Sequence, residues 1–152
     1  MPSPPKSRAR PRASRARAPG GAGSAGYSGK PLIDKLGVRP EMAVAVIGLD
    51  DQGRFLAELR ERVGRAPAAS VRGADLVVMR VDSERELARL AKLEAAIRRN
   101  GAIWVVWPKG QPHIKEDMVR GAALRHGLVD VKVCAFSAEL SALKLVIPLA
   151  RR

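Results

Sequence analysis

Hydrophobic positions along this chain switch between two periods. Three runs are of strand length, the unbroken AVAVIGL at 43–49, ADLVVMRV at 74–81 and AIWVVW at 102–107. Such runs suit strands covered on both faces. Between them the spacing becomes helical. Phe55, Leu56, Leu59 and Val63 share one face, Glu58 and Arg62 form an i,i+4 pair, and Gly64 is the stop. Ser83 with Glu86 makes a capping box that opens a second helix, faced by Leu87, Leu90, Leu93 and Ile97 and ended by Asn100 and Gly101. Ile114, Met118 and Ala122 begin the face of a third helix, closed by Gly127. Ahead of the first strand, Pro31 suits a first helical position and Gly37 a stop, so a short helix is expected over 31–36. Residues 66–72 are a candidate short edge strand. The β-branched segments VDVKVCAF (129–136) and ALKLVIPL (142–149) flank a short polar turn and read as an antiparallel hairpin. Together these elements predict an α/β fold, a doubly wound, mainly parallel sheet with a C-terminal antiparallel hairpin.

Composition adds a boundary. Apart from Met1, residues 1–26 contain only Pro, Ser, Lys, Arg, Ala and Gly, so burial there cannot offset the entropy of ordering, and a disordered basic tail is expected. Residues 27–152 are then one Rossmann-like domain. The formal net charge is +13, but seven of the 28 Lys and Arg precede Pro31 with no acid beside them, leaving 21 against 15 acids afterwards. That remainder argues for solubility more than for a partner. Cys134 is the only cysteine, which excludes an intramolecular disulfide and a cysteine metal cluster. With no apolar signal segment or membrane-length run, a cytoplasmic location is expected.

Candidate chemistry is sparse. The loop after the first strand, GLDDQGR at 48–54, has two glycines five residues apart and no third, so the dinucleotide fingerprint is absent. Read as a phosphate loop, it has Arg54 where Lys belongs, Phe55 where a hydroxyl would hold magnesium, and Asp50 and Asp51 where phosphates would sit. The simpler reading has one of the aspartates capping the next helix. The stretch WPKGQPHIK follows a strand, where open α/β sheets place ligands, and Trp107, Lys109, His113 and Lys115 are the candidate aromatic and cationic anion site. The competing reading puts Trp104 and Trp107 in the core on opposite faces. His113 and His126 are the only histidines, separated by about 18 Å of helical rise, too far to share a metal. No catalytic set, metal site or cofactor is expected. Cys134 near Lys132 is read as a structural thiol with thiolate character as the alternative. Lys132 and Lys144, on neighbouring strands, mark either an assembly surface or a solvated edge. In the tail, Lys6, Arg8, Arg10, Arg12, Arg15 and Arg17 could neutralise phosphates in a salt-dependent, sequence-independent way, or could be an incidental linker of a GC-rich genome.

The segments YSGKPLIDKLGVRPEM, IWVVWPKG and GLVDVKVCAFSAELSALKLVIPL, in this order, resemble a bacterial domain-of-unknown-function family of small cytosolic proteins. The resemblance implies a family without an activity, and it leads one to expect an aromatic before Ser141, where this chain has Leu140. In layout alone, strands alternating with helices and a terminal hairpin also resemble the Rossmann-type methyltransferases that use S-adenosylmethionine. Three functional readings follow. The leading one is a non-enzymatic α/β domain binding a small ligand or protein partner. The others are a methyltransferase-like cofactor-binding enzyme or relic, and weak nucleic-acid association through the tail.

Overall fold

The computed structural model describes residues 30–152, so the six tail cations Lys6, Arg8, Arg10, Arg12, Arg15 and Arg17 lie outside the described residues. In chain order the elements are α1 (Leu32–Lys35), β1 (Val44–Ile47), α2 (Gly53–Val63), β2 (Leu76–Arg80), a 3₁₀ segment (Glu84–Arg89) leading into α3 (Leu90–Ala96), β3 (Ala102–Pro108), α4 (Glu116–Arg125), β4 (Val129–Ala135), β5 (Leu140–Val146) and a closing 3₁₀ turn (Leu149–Arg151). The strands form one sheet in the order β1-β2-β3-β5-β4. β1, β2 and β3 run parallel, and β5 is antiparallel to both β3 and β4. The expected α/β class with its antiparallel hairpin is present, with β5 inserted between β3 and β4.

Alternation along the strands divides the core. Leu76, Val78, Trp104 and Val106 pack beneath Leu36 of the α1 end and Phe55, Leu59 and Val63 of α2. Val77, Met79, Ile103, Val105 and Trp107 face Leu90 and Leu93 of α3 and Val119, Ala122 and Ala123 of α4. Both faces of β2 and β3 are therefore covered, which is why their sequences read as apolar runs. Trp104 is fully buried, and its Nε1–H donates to the Leu36 carbonyl at 3.0 Å, satisfying a group left open at the end of α1.

The connections hold an irregularity. From β1 to β2 and from β2 to β3 the chain steps the same way across the sheet, yet α2 lies on one face and α3 on the other. Two parallel crossovers that step in one direction on opposite faces have opposite hands. One of them is therefore left-handed, against a rule followed in about 98% of such connections. After α2 the chain passes the outer edge of β1, where the Ala68 N–H donates to the Val44 carbonyl at 2.7 Å, and Ala68 and Val71 then pack on the α3 face. That single edge contact is all that forms of the expected strand at 66–72.

Two further differences have local causes. The helix expected from Ser83 to Asn100 begins as 3₁₀, with Glu86 accepting from the Ser83 N–H at 3.3 Å, and ends at Ala96. Ile97 turns extended, the Arg98 N–H donates to the Ala74 carbonyl at 3.0 Å, and the Arg98 side chain pairs with Asp75 at 3.0 Å. The chain must leave the helix there to lie beside β2. Gly101 allows it, since a Cβ would stand 2.9 Å from the Asp75 carbonyl oxygen. In β4, a register shift between Asp130 and Lys132 breaks the simple alternation. Asp130 pairs with Leu145 and Lys132 with Lys144, adjacent positions of β5 that point to opposite faces.

Candidate functional site

The parallel strands end along one edge of the sheet, the edge at which open α/β folds bind ligands. At the end of β1, Gly48 has φ +75°, a conformation that favours glycine, and a Cβ there would stand 3.4 Å from the Cβ of Arg80. Gly48 thus borders Arg80 of the neighbouring strand, with room for no more than a Cβ in ordinary contact, and Arg80 is paired with Asp82 at 3.0 Å. Leu49 is buried, and its carbonyl accepts from the Gln52 N–H at 2.9 Å. That turn makes Gln52 the residue before α2, and the helix has no side-chain cap. Asp50 and Asp51 therefore do not cap it, contrary to expectation; Asp51 accepts only from the Gln52 side chain, at 3.3 Å. Gly53 has ordinary helical geometry with nothing within 4 Å of a Cβ position.

The end of β3 is different. Trp107 is buried on the α4 face, the Lys109 N–H donates to the Glu139 carbonyl at 2.9 Å, and Gly110 turns the chain at φ +74°. Ile114, 1% exposed, anchors the loop, and Lys115 precedes α4. A cleft of about 500 Å³ opens here, lined by Trp107, Lys109, Lys115, Glu116 and Ser141 with the backbone of the loop. Glu116 is engaged by Arg120 one turn along α4. Among the described residues, neither Lys109 nor Lys115 forms an ion pair. The cleft thus offers two cations and an aromatic edge.

Of the four residues expected to form this site, Trp107, Lys109 and Lys115 come together, while His113 is exposed and outside the lining. Ser141 and Glu116 were not anticipated. Ser141 enters because it stands opposite Trp107 across the β3–β5 ladder, a register that the sequence does not print. Leu140, where the family resemblance leads one to expect an aromatic, points instead into the core beneath α1 and α2, so that substitution leaves the cleft untouched.

Elsewhere, His126 closes α4, and among the described residues no group of three or more His, Cys, Asp or Glu is placed to hold a metal ion. Burial pushes the Cys134 thiol above its usual value by more than Lys35 and Lys132 pull it down, so the alternative of thiolate character does not hold. No helix among the described residues is long and apolar enough to cross a membrane.

No protein-family model matches the chain, and no curated protein matches it. Solved structures do. A SAM-dependent methyltransferase from Aquifex aeolicus superposes with a TM-score of 0.60 at 13% identity, over 77% of this chain and 88% of its own. Magnesium protoporphyrin IX methyltransferase from Synechocystis PCC 6803, with bound SAH, gives 0.53 at 11% identity, over 76% and 78%. At such identities the likeness concerns architecture: the chain carries a methyltransferase-like α/β fold.

Proposed function

We propose that this protein is a methyltransferase-type domain in reduced form, a relic that has lost the cofactor crevice at the end of β1 and binds a small anionic ligand in the cleft at the end of β3. The fold likeness favours this reading over a non-enzymatic module unconnected with that fold. The observation that carries it is the pairing of strand order with helix placement. In a doubly wound sheet of order 3-2-1-4-5-6, the nucleotide lies where the order reverses, beside strand 1. Removing strands 3 and 2 leaves strand 1 at an edge, with its helix on one face and the later helices on the other. This chain has that arrangement, including the crossover of unusual hand.

The residues at Gly48 do not fit S-adenosylmethionine. Gly48 is bordered by Arg80 of β2, whose guanidinium is engaged by Asp82; Asp50 and Asp51 bring two negative charges into the loop, and among the described residues β1 has no outer neighbour to wall the crevice. In the β3 cleft, Lys109 and Lys115 would meet a carboxylate or phosphate while Trp107 and Ser141 border its body.

The test is a thermal-shift screen of small carboxylates and phosphate esters, followed by calorimetry on the hits. Binding that K109Q/K115Q weakens at least about tenfold, with folded-state stability changed by less than about 0.5 kcal/mol, is the expected result. Hits that the double variant binds as well as wild type would refute the assignment.

A further inference from the structure

Lys132 and Lys144 stand directly opposite one another on β4 and β5, a placement in which like charges are destabilising. Lys144 is part-buried, and desolvation together with Lys132 holds its ammonium below the ordinary lysine value. Lys35, at the end of α1, approaches the same face, since it and Lys132 both act on the thiol of Cys134. Lys132 and Lys144 therefore share the side of the hairpin away from α4, the face of Trp104.

No carboxylate balances the cross-strand pair. Among the described residues neither Lys132 nor Lys144 forms an ion pair. Asp34 of α1 is held by Arg62 at 2.7 Å. Asp130 would share a face with Lys132 in a regular strand, but the register shift turns it to the other side, where it lies 3.6 Å from Arg120. The bulge thus removes the one acid of β4 from this surface. Concentrated like charge with a part-buried member is costly in the free protein and is relieved by a bound anion.

We propose that Lys132 and Lys144 form a receptor for a compact polyphosphate group on the open face of the β4–β5 hairpin. This site is separate from the β3 cleft, and neither proposal depends on the other. Free pyrophosphate and the nucleotide ADP carry the same phosphate chemistry and serve as the two probes.

Cys134, the chain's only cysteine, sits in the cluster and reports on it. Its reaction with a neutral disulfide reagent, 4,4′-dithiodipyridine, is followed in the full chain at low ionic strength with and without each probe. The proposal predicts that about 1 mM pyrophosphate slows the reaction at least about threefold in wild type and leaves K132Q/K144Q unaffected. Protection by ADP as well assigns the contact to the phosphates wherever they are carried. Because the readout is local, anion binding elsewhere on this basic chain does not register. An unchanged wild-type rate with both probes, or equal slowing in the double variant, would overturn the site; if that variant does not fold by circular dichroism, K144Q alone takes its place.

Discussion

The ends of β1 and β3 lie on the same edge of one sheet and have opposite characters. At β1 a glycine turn closes against Arg80, and two aspartates and an exposed helix start follow it. At β3 a loop is pinned at both ends, by Lys109 to Glu139 and by the buried Ile114, and holds open a cleft with two lysines that form no ion pair among the described residues. A glycine at a strand end is thus not by itself a ligand signal. What matters is which side chains border it, and whether a neighbouring strand stands beyond it to complete a crevice.

The largest effect is expected in the core of β3, the strand that leads to the cleft. Trp104 joins β3 to the end of α1 on the face beneath α1 and α2, and Trp104→Ala is expected to cost about 3–5 kcal/mol in urea unfolding, since it opens a cavity and orphans the Leu36 carbonyl. A loss under about 1 kcal/mol would mean that the face beneath α1 is not packed as described.

The two glycines of the β1 loop separate conformation from ligand chemistry. Gly48→Ala forces a side chain into φ +75° beside Arg80 and should destabilise by about 1–2 kcal/mol without altering ligand binding in the β3 cleft. Gly53→Ala meets nothing and improves helix propensity, so a gain of up to about 1 kcal/mol is expected. A phosphate-cradling loop would lose binding on either change; here calorimetry on both variants should show none lost.

A smaller effect concerns the hairpin. Because the folded chain gives up the Lys144 proton before the unfolded chain does, the unfolded state holds more protons between the depressed folded value and the ordinary lysine value, and stability rises with pH across that window. Cys134 acts the other way. Its folded value is raised, so the folded state holds more protons between the ordinary thiol value and the raised one, and stability falls there. Urea midpoints collected through the alkaline range should therefore climb less steeply in K144M than in wild type, and more steeply in C134A. Identical profiles in all three proteins would contradict the strained lysine pair.

Much of the fold was readable because burial leaves a periodic trace. The runs at 43–49, 74–81 and 102–107 became β1, β2 and β3, and the two β-branched segments became the hairpin. Those runs report covered faces, however, and not lateral neighbours. β1 is packed on both faces and still has no strand beyond it among the described residues, because backbone edges carry no side-chain signature. For the same reason the sequence was silent on Ser141, which reaches the cleft through strand pairing, and on the bulge that separates Asp130 from Lys132. The early end of α3 escaped local rules because Asp75 holds Arg98 through a tertiary contact, and the uncapped start of α2 because burial of Leu49 fixes the turn that leads into it.

The central claim is that ligand binding has left the end of β1 and resides at the end of β3. An amide-resolved NMR titration of the full chain with S-adenosylhomocysteine and with the strongest anionic hit reads both places at once. The account predicts saturable shifts at 107–116 and Ser141 with the anionic hit, and none at 48–53 with either ligand. Saturable shifts at 48–53 with S-adenosylhomocysteine at sub-millimolar affinity would contradict it.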